Sequence, residues 1–151
     1  MTIYTMQFAD TFWRETAALA RGCSFQGSGA FLADCVEDDD FSGDDRVFAA
    51  VVKDKPIGFC TFTEENLDGD YPYAPWLDFV FVSEEHRGKG IAKMLVEAVC
   101  RYAKGQGFSK LYLLTASHAA LYQKLGFTFL SECTVSGNTI ASVMCRELTN
   151  S

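Results

Sequence analysis

The chain has 151 residues, 48% of them hydrophobic and 22% charged, the balance of one folded domain rather than a disordered segment. Its 13 Lys and Arg stand against 20 Asp and Glu, a formal charge of −7. Such an acidic chain repels phosphate backbones, which argues against nucleic-acid binding and favours cations and amines. No basic residue precedes Arg14, and the longest apolar run, residues 47–52, is too short to span a bilayer. Neither a signal peptide nor a membrane interaction is therefore expected. The six cysteines are never closer than twelve residues, so no CxxC pair exists. They read as small buried thiols of a cytoplasmic protein. The two histidines lie far apart and give no metal-ligand cluster.

Residues 2–8 alternate weakly and predict a strand. Asp10 is placed to cap a helix running to about Arg21, with Phe12, Trp13, Thr16, Ala17 and Ala20 near helical spacing and Gly22 as its stop. Residues 28–36 predict a short second helix. Residues 47–53 and 57–63, joined by Asp54-Lys55-Pro56, predict a β-hairpin. A polar loop, 64–75, leads to residues 76–82, whose run Phe79-Val80-Phe81-Val82 predicts a central strand. Ile91, Met94, Leu95, Ala98, Val99 and Tyr102 then follow one helix face, with Gly105 and Gly107 ending the helix. Residues 111–114 predict a strand. Ser117 is placed to cap a short helix to about Lys124, stopped by Gly126. Residues 127–134 and 139–146 predict a last hairpin across Ser136-Gly137-Asn138. The order β-α-α-β-β-β-α-β-α-β-β contains hairpins and helical crossovers, so the expected class is α/β with a mixed sheet.

The segment His86-Arg87-Gly88-Lys89-Gly90-Ile91-Ala92 joins the central strand to the amphipathic helix. Glycines let the backbone turn tightly and approach a ligand, and a helix start offers free N–H groups and a positive dipole end. Arg87 and Lys89 add charge of the same sign. The segment reads either as a phosphate cradle or as a glycine-rich turn with solvated basic side chains. It is not a P-loop, and the dinucleotide fingerprint would need glycine where Lys93 stands.

Arg87-x-x-Gly90-x-Ala92 matches the pattern Q/R-x-x-G-x-G/A, and Ala120-Leu121-Tyr122-Gln123-Lys124-Leu125-Gly126-Phe127 is similar to the ending A-x-x-Y-x-K-x-G-F. With the apolar strand before them and a helix and strand between, residues 76–127 resemble the GNAT superfamily of acyl-CoA-dependent N-acetyltransferases. The resemblance implies a GNAT fold over residues 1–151: a mixed, mostly antiparallel sheet splayed at its centre and flanked by about four helices. It implies acetyl-CoA as the acyl donor, with its pyrophosphate on Arg87, Gly88, Lys89, Gly90, Ile91 and Ala92. Its pantetheine would run beside Val80, Phe81 and Val82, and a backbone N–H near Val82 would polarise the thioester carbonyl.

Tyr122 falls at the family's general acid, which protonates the departing thiolate; the alternative is a ring packed on the sheet. Asp78 is one candidate for the base that deprotonates the amine, with Glu64 and Glu65 as others. Thr115, Ser117 and His118 stand where family members often carry an asparagine contacting the cofactor. His86 reads as an exposed turn residue. Asp34, Glu37, Asp38, Asp39, Asp40, Asp44 and Asp45 crowd one stretch without a basic residue, and Glu64, Glu65, Asp68 and Asp70 form a second group. They read as a wall attracting a cationic amine or as solvated loops. The expected activity is direct transfer of acetyl to an amine of a small molecule or peptide, by a cytoplasmic monomer or homodimer. The alternative is a non-catalytic acyl-CoA sensor.

Overall fold

Each strand of the molecule's centre is buried on both faces, which is why these segments read as apolar runs. The computed structural model describes residues 1–23, 28–67 and 69–148; Asp68 lies outside the described residues. The elements are β1 (Thr2–Met6), α1 (Trp13–Arg21), α2 (Ser28–Glu37), β2 (Arg46–Val52), β3 (Lys55–Thr63), β4 (Trp76–Val82), α3 (Ile91–Gly105), β5 (Lys110–Thr115), α4 (Ala119–Lys124), β6 (Thr128–Val135) and β7 (Thr139–Glu147). A 3₁₀ turn, Glu84–His86, precedes α3, and another, Ser136–Asn138, joins β6 to β7. On β2, Phe48 and Ala50 face the core under α3, while Val47, Ala49 and Val51 face the core under α1 and α2.

The sheet has seven strands in the order β1-β2-β3-β4-β5-β7-β6. All neighbours are antiparallel except β4 and β5, which the α3 crossover makes parallel. That parallel junction holds at one register pair, Trp76 with Tyr112, where the Tyr112 N–H donates to Pro75 O (3.0 Å). The mixed, mostly antiparallel sheet, its central splay and its four helices are as expected. Among the described residues no helix is long and apolar enough to cross a membrane. All six cysteines are free thiols, with Cys35, Cys60 and Cys100 buried.

Three local expectations change. Asp10 does not cap α1. Phe12 holds that position in a left-handed conformation (φ 73°), and the Asp10 carboxylate accepts the Gln7 N–H instead (2.8 Å). Ser117 does not cap α4. His118 does so without a side-chain bond, its own N–H going to Thr115 Oγ1 (2.9 Å). The buried face of α3 runs through Ile91, Leu95, Val96, Val99, Cys100 and Ala103, rotated from the expected stripe, and Met94 is exposed. The helix turns Val96 and Cys100 to the sheet because the core against which it packs extends to β5 and β7 through Leu111 and Met144.

Arg146 of β7 ties this side together. Its guanidinium grips Glu97 of α3 at both carboxylate oxygens (2.7 and 3.1 Å) and donates to Leu125 O at the end of α4 (3.0 Å). The hydrogen bond from Arg146 is the main reason that the Glu97 carboxyl is held below its ordinary 4.5. A carboxyl depressed by folding adds stability above its unfolded pKa and loses it as pH falls through the folded one. Glu97→Gln should therefore cost about 1 kcal/mol near neutrality. The cost should shrink as pH falls below the ordinary 4.5, which denaturant titrations at neutral and acid pH check.

Candidate active site

Beyond Trp76 and Tyr112 the facing edges of β4 and β5 draw apart, and Asp78, Val80, Phe81 and Val82 follow on the β4 side. On β4, Asp78 lies opposite Thr61 and Phe81 opposite Phe59, so that Phe79 and Val80 together face the single residue Cys60. The extra residue makes a bulge at Phe79, whose φ of 57° is left-handed, a rare state for a bulky side chain. Phe79 packs on the α1–α2 side, with Phe31 of α2 nearby (ring centroids 6.1 Å), and Val80 packs toward the α3 core. Phe81 stacks on Phe59 (5.2 Å).

After the bulge, Ser83 N–H donates to Ile57 O (2.8 Å). Successive backbone groups of a strand alternate in direction, so the N–H and C=O of Val82 point away from β3, into the divergence. The next turn carries Gly88 and Gly90 at φ 77° and 78°. A Cβ at either would meet nothing within 4 Å, so these positions need glycine for backbone conformation, and the space above them is open. Gly90 is the N-cap of α3 with no side-chain cap bond and no acidic residue in the first turn. Lys89 is exposed, Ile91 is buried and Ala92 packs against the α3 core. Arg87, though exposed, folds back: its Nε donates to Val82 O (2.8 Å) and its guanidinium lies 5.6 Å over the Phe81 ring.

Tyr122 comes from α4, on the far side of the divergence. Its ring meets Phe127 edge-on (6.0 Å) and packs against the α3 core. Burial, then the nearby Cys60 thiol and Asp78 carboxyl, push its phenol up to about 12. The phenol is thus neutral at physiological pH. Asp78 is half-buried, with Asn66 Nδ2 donating to its Oδ2 (3.0 Å) and Thr61 Oγ1 to its backbone O (3.3 Å). Asp78 and Tyr122 are brought within electrostatic reach.

The remaining candidates are dispersed. Glu64 is exposed, its N–H held by Asp45 (2.8 Å), and Glu65 sits in the loop that follows. His86 is half-buried rather than exposed, and its Nδ1 is enclosed without a partner. Ser117 Oγ lies 3.1 Å from His118 Nδ1. The acidic stretch is not without a basic partner. Arg21 of α1 binds Asp34 (2.9 Å) and Glu37 (2.6 Å), and Asp45 accepts the Ser42 and Glu64 N–H groups. Tyr102, near the C-terminal end of α3, donates to Asp44 O (2.8 Å), so that stretch and loop 87–92 meet opposite ends of the helix. Those ends are roughly 20 Å apart. Among the described residues no three His, Cys, Asp or Glu side chains converge as a metal set. Sequence reasoning missed Asn66, an amide in a polar loop with no pattern to mark it, and the left-handed Phe79.

The profile of the Acetyltransferase (GNAT) family matches residues 10–127. N-acetyltransferase 8 of Homo sapiens is 48% identical over 52 residues, 32% of this chain and 23% of that protein. The spermine/spermidine N(1)-acetyltransferase of Bacillus subtilis (strain 168) is 33% identical over 95 residues, 60% of this chain and 58% of that one. The matched segment thus spans under a quarter of the first relative and little over half of the second. In fold, the chain is similar to the aminoglycoside 6'-N-acetyltransferase from Enterococcus faecium (TM-score 0.80, 17% identity, 100% of this chain and 99% of that one). It is also similar to a GNAT family N-acetyltransferase of Escherichia coli in complex with CoA (TM-score 0.75, 21% identity, 98% and 81%).

A spectrophotometric pH titration of the parent chain against Tyr122→Phe isolates the phenol's ionisation. The difference should titrate near 12 rather than 10. Because the folded phenol ionises above the unfolded one, its contribution to stability is complete below pH 10 and is lost as pH rises toward 12.

Proposed function

We propose, from the premise that this chain belongs to the acetyltransferase (GNAT) family, that it moves acetyl from acetyl-CoA directly to an amine, with Tyr122 as general acid. The observation that carries this reading is a half-buried phenol, held neutral, within electrostatic reach of the Asp78 carboxyl where β4 and β5 diverge. Loop 87–92 suits the donor's pyrophosphate: two left-handed glycines leave its surface open, and the start of α3 has uncapped N–H groups. Arg87 would leave Val82 O to meet the phosphates, freeing the β4 edge. Val80, Phe81 and Val82 would then offer that edge to the pantetheine as a neighbouring strand does.

The chemistry then falls to a few groups. The Val82 N–H would donate to the thioester carbonyl as negative charge gathers on its oxygen. Asp78 would take the proton from the acceptor ammonium, directly or through a water. The Tyr122 phenol would give its proton to the departing thiolate. The net charge of −7 supports a cationic acceptor, as does the similar Bacillus subtilis protein, whose name specifies the polyamines spermine and spermidine. A protein that only sensed acyl-CoA would use loop 87–92 and leave Asp78 and Tyr122 without a task. Thiol release from acetyl-CoA over an amine panel selects between the two.

Two substitutions separate binding from chemistry. Acetyl-CoA should raise the melting temperature of the parent, and acetyl phosphate should not. Gly90→Asp, which adds bulk and negative charge at the helix start, should abolish that shift while the protein stays folded. A folded Gly90→Asp chain that binds CoA as tightly as the parent would remove loop 87–92 from the site. Tyr122→Phe keeps the ring and loses only the hydroxyl. Its kcat should drop by about 10- to 100-fold with little change in acetyl-CoA affinity, since a thiol needs modest help to leave.

A further inference from the structure

Loop 64–75 leaves β3 after Thr63 and returns at Trp76, the residue where β4 and β5 still pair. Aromatic contacts build it. Tyr71 packs on Trp76 (5.4 Å) and Tyr73 stacks on Tyr112 (5.0 Å), so both tyrosines rest on that one β4–β5 pair. Trp76 Nε1 donates to Tyr73 O (2.9 Å). A Cβ on Gly69 would come within 2.5 Å of the Tyr71 ring, so glycine there lets the ring lie against the loop. The loop borders an open surface pocket of about 560 Å³ lined by Glu65, Asn66, Asp70, Tyr71, Pro72 and Tyr73.

The charge of this pocket is of one sign. No Lys or Arg occurs between Lys55 and Arg87. Among the described residues neither Glu65 nor Asp70 enters an ion pair. At the foot of the loop Thr63 is fully buried, and its Oγ1 has no hydrogen-bond partner. Asn66 lines the pocket and also donates to Asp78 Oδ2 (3.0 Å), so whatever the pocket holds is one side chain from the carboxyl of the reacting site. A second pocket, of about 390 Å³ beside Asp10, Asp39, Asp45 and Arg46, differs in both respects. Arg46 supplies positive charge there, and the Asp45 carboxylate is committed to two backbone N–H groups.

Tyrosine rings with unpaired carboxylates stabilise an ammonium group through ring faces and charge, and offer little to an anion or a neutral group. We propose that the pocket at loop 64–75 binds a second ammonium group of the acceptor. The chain would then select linear amines with at least two positive charges, presenting one amine to Asp78 while Glu65, Asp70, Tyr71 and Tyr73 hold another. The proposal rests on the reading of Asp78 and Tyr122 as the amine-acetylating pair.

The test compares propylamine with 1,4-diaminobutane and longer linear diamines, following thiol release from acetyl-CoA by the full chain. The parent should prefer the diamines in kcat/KM, with an optimum in chain length. Glu65→Gln with Asp70→Asn should reduce the diamine-to-propylamine ratio by about 10-fold or more, chiefly through the KM for diamines. Both residues are exposed, so the substitutions should keep the fold; Asp70→Asn alone serves if the double variant melts early, and should give part of the loss. A ratio that stays unchanged, or equal losses for both acceptors, overturns the pocket while leaving amine acetylation standing. A parent that is stabilised by acetyl-CoA yet acetylates no amine overturns the function proposed above and the pocket with it.

Discussion

One register pair, Trp76 with Tyr112, is all the strand pairing that joins the two halves of the sheet. Backbone N–H and C=O groups inside a protein demand partners, and a sheet normally supplies them strand by strand. Here β1 to β4 make one antiparallel half and β5, β7 and β6 the other, and the seam between them has a single register pair. The edges beyond it face a widening gap with their polar groups directed inward. The proposed pantetheine, an extended chain bearing amides, has the chemistry to complete that pairing. The bulge at Phe79, the inward N–H of Val82 and the reach of Tyr122 from α4 all take their meaning from the gap.

The two ends of α3 divide the molecule by charge. Its start carries Arg87, Lys89 and the uncapped helix N–H groups, complementary to an anion. Its end is tied by Tyr102 to the acidic segment after α2. Much of that acidity is already engaged, by Arg21 at Asp34 and Glu37 and by backbone N–H groups at Asp45. Among the described residues the carboxylates of Glu65 and Asp70 enter no ion pair and stand apart from this pattern. Net charge alone could not separate acids that hold the chain together from acids free to meet a ligand.

The regular elements were legible because periodicity reports burial directly. The strand at 76–82, the helix after Gly90 and both hairpins were visible in the spacing of apolar residues and in the placement of glycine. Helix starts were less legible. Asp10 and Ser117 are residues that commonly cap, but the chain enters α1 through the left-handed Phe12 and α4 through His118. Phe79 was hidden for a related reason: an apolar run carries no signal of a bulge, since every residue in it is suited to a strand. The bond between Asn66 and Asp78 spans twelve positions between loop and strand and exists only once the loop has folded. The pocket beside it includes Tyr73, whose stacking partner Tyr112 is remote in sequence.

The strand order places β7 between β5 and β6. During synthesis β6 emerges first, yet it cannot join the sheet until β7 exists to receive it on one side and to cover β5 on the other. The nascent domain therefore carries an open β5 edge while β6, with Phe129 and Leu130 exposed even in the finished fold, waits beside it. Arg146, which anchors α3 and the end of α4, arrives with β7. The alignment of Tyr122 accordingly waits for β7. A ribosome halted after β6 would leave a chain whose proposed phosphate loop has all its residues but whose proposed proton donor has lost its mooring, and whose unpaired edges invite association with other chains.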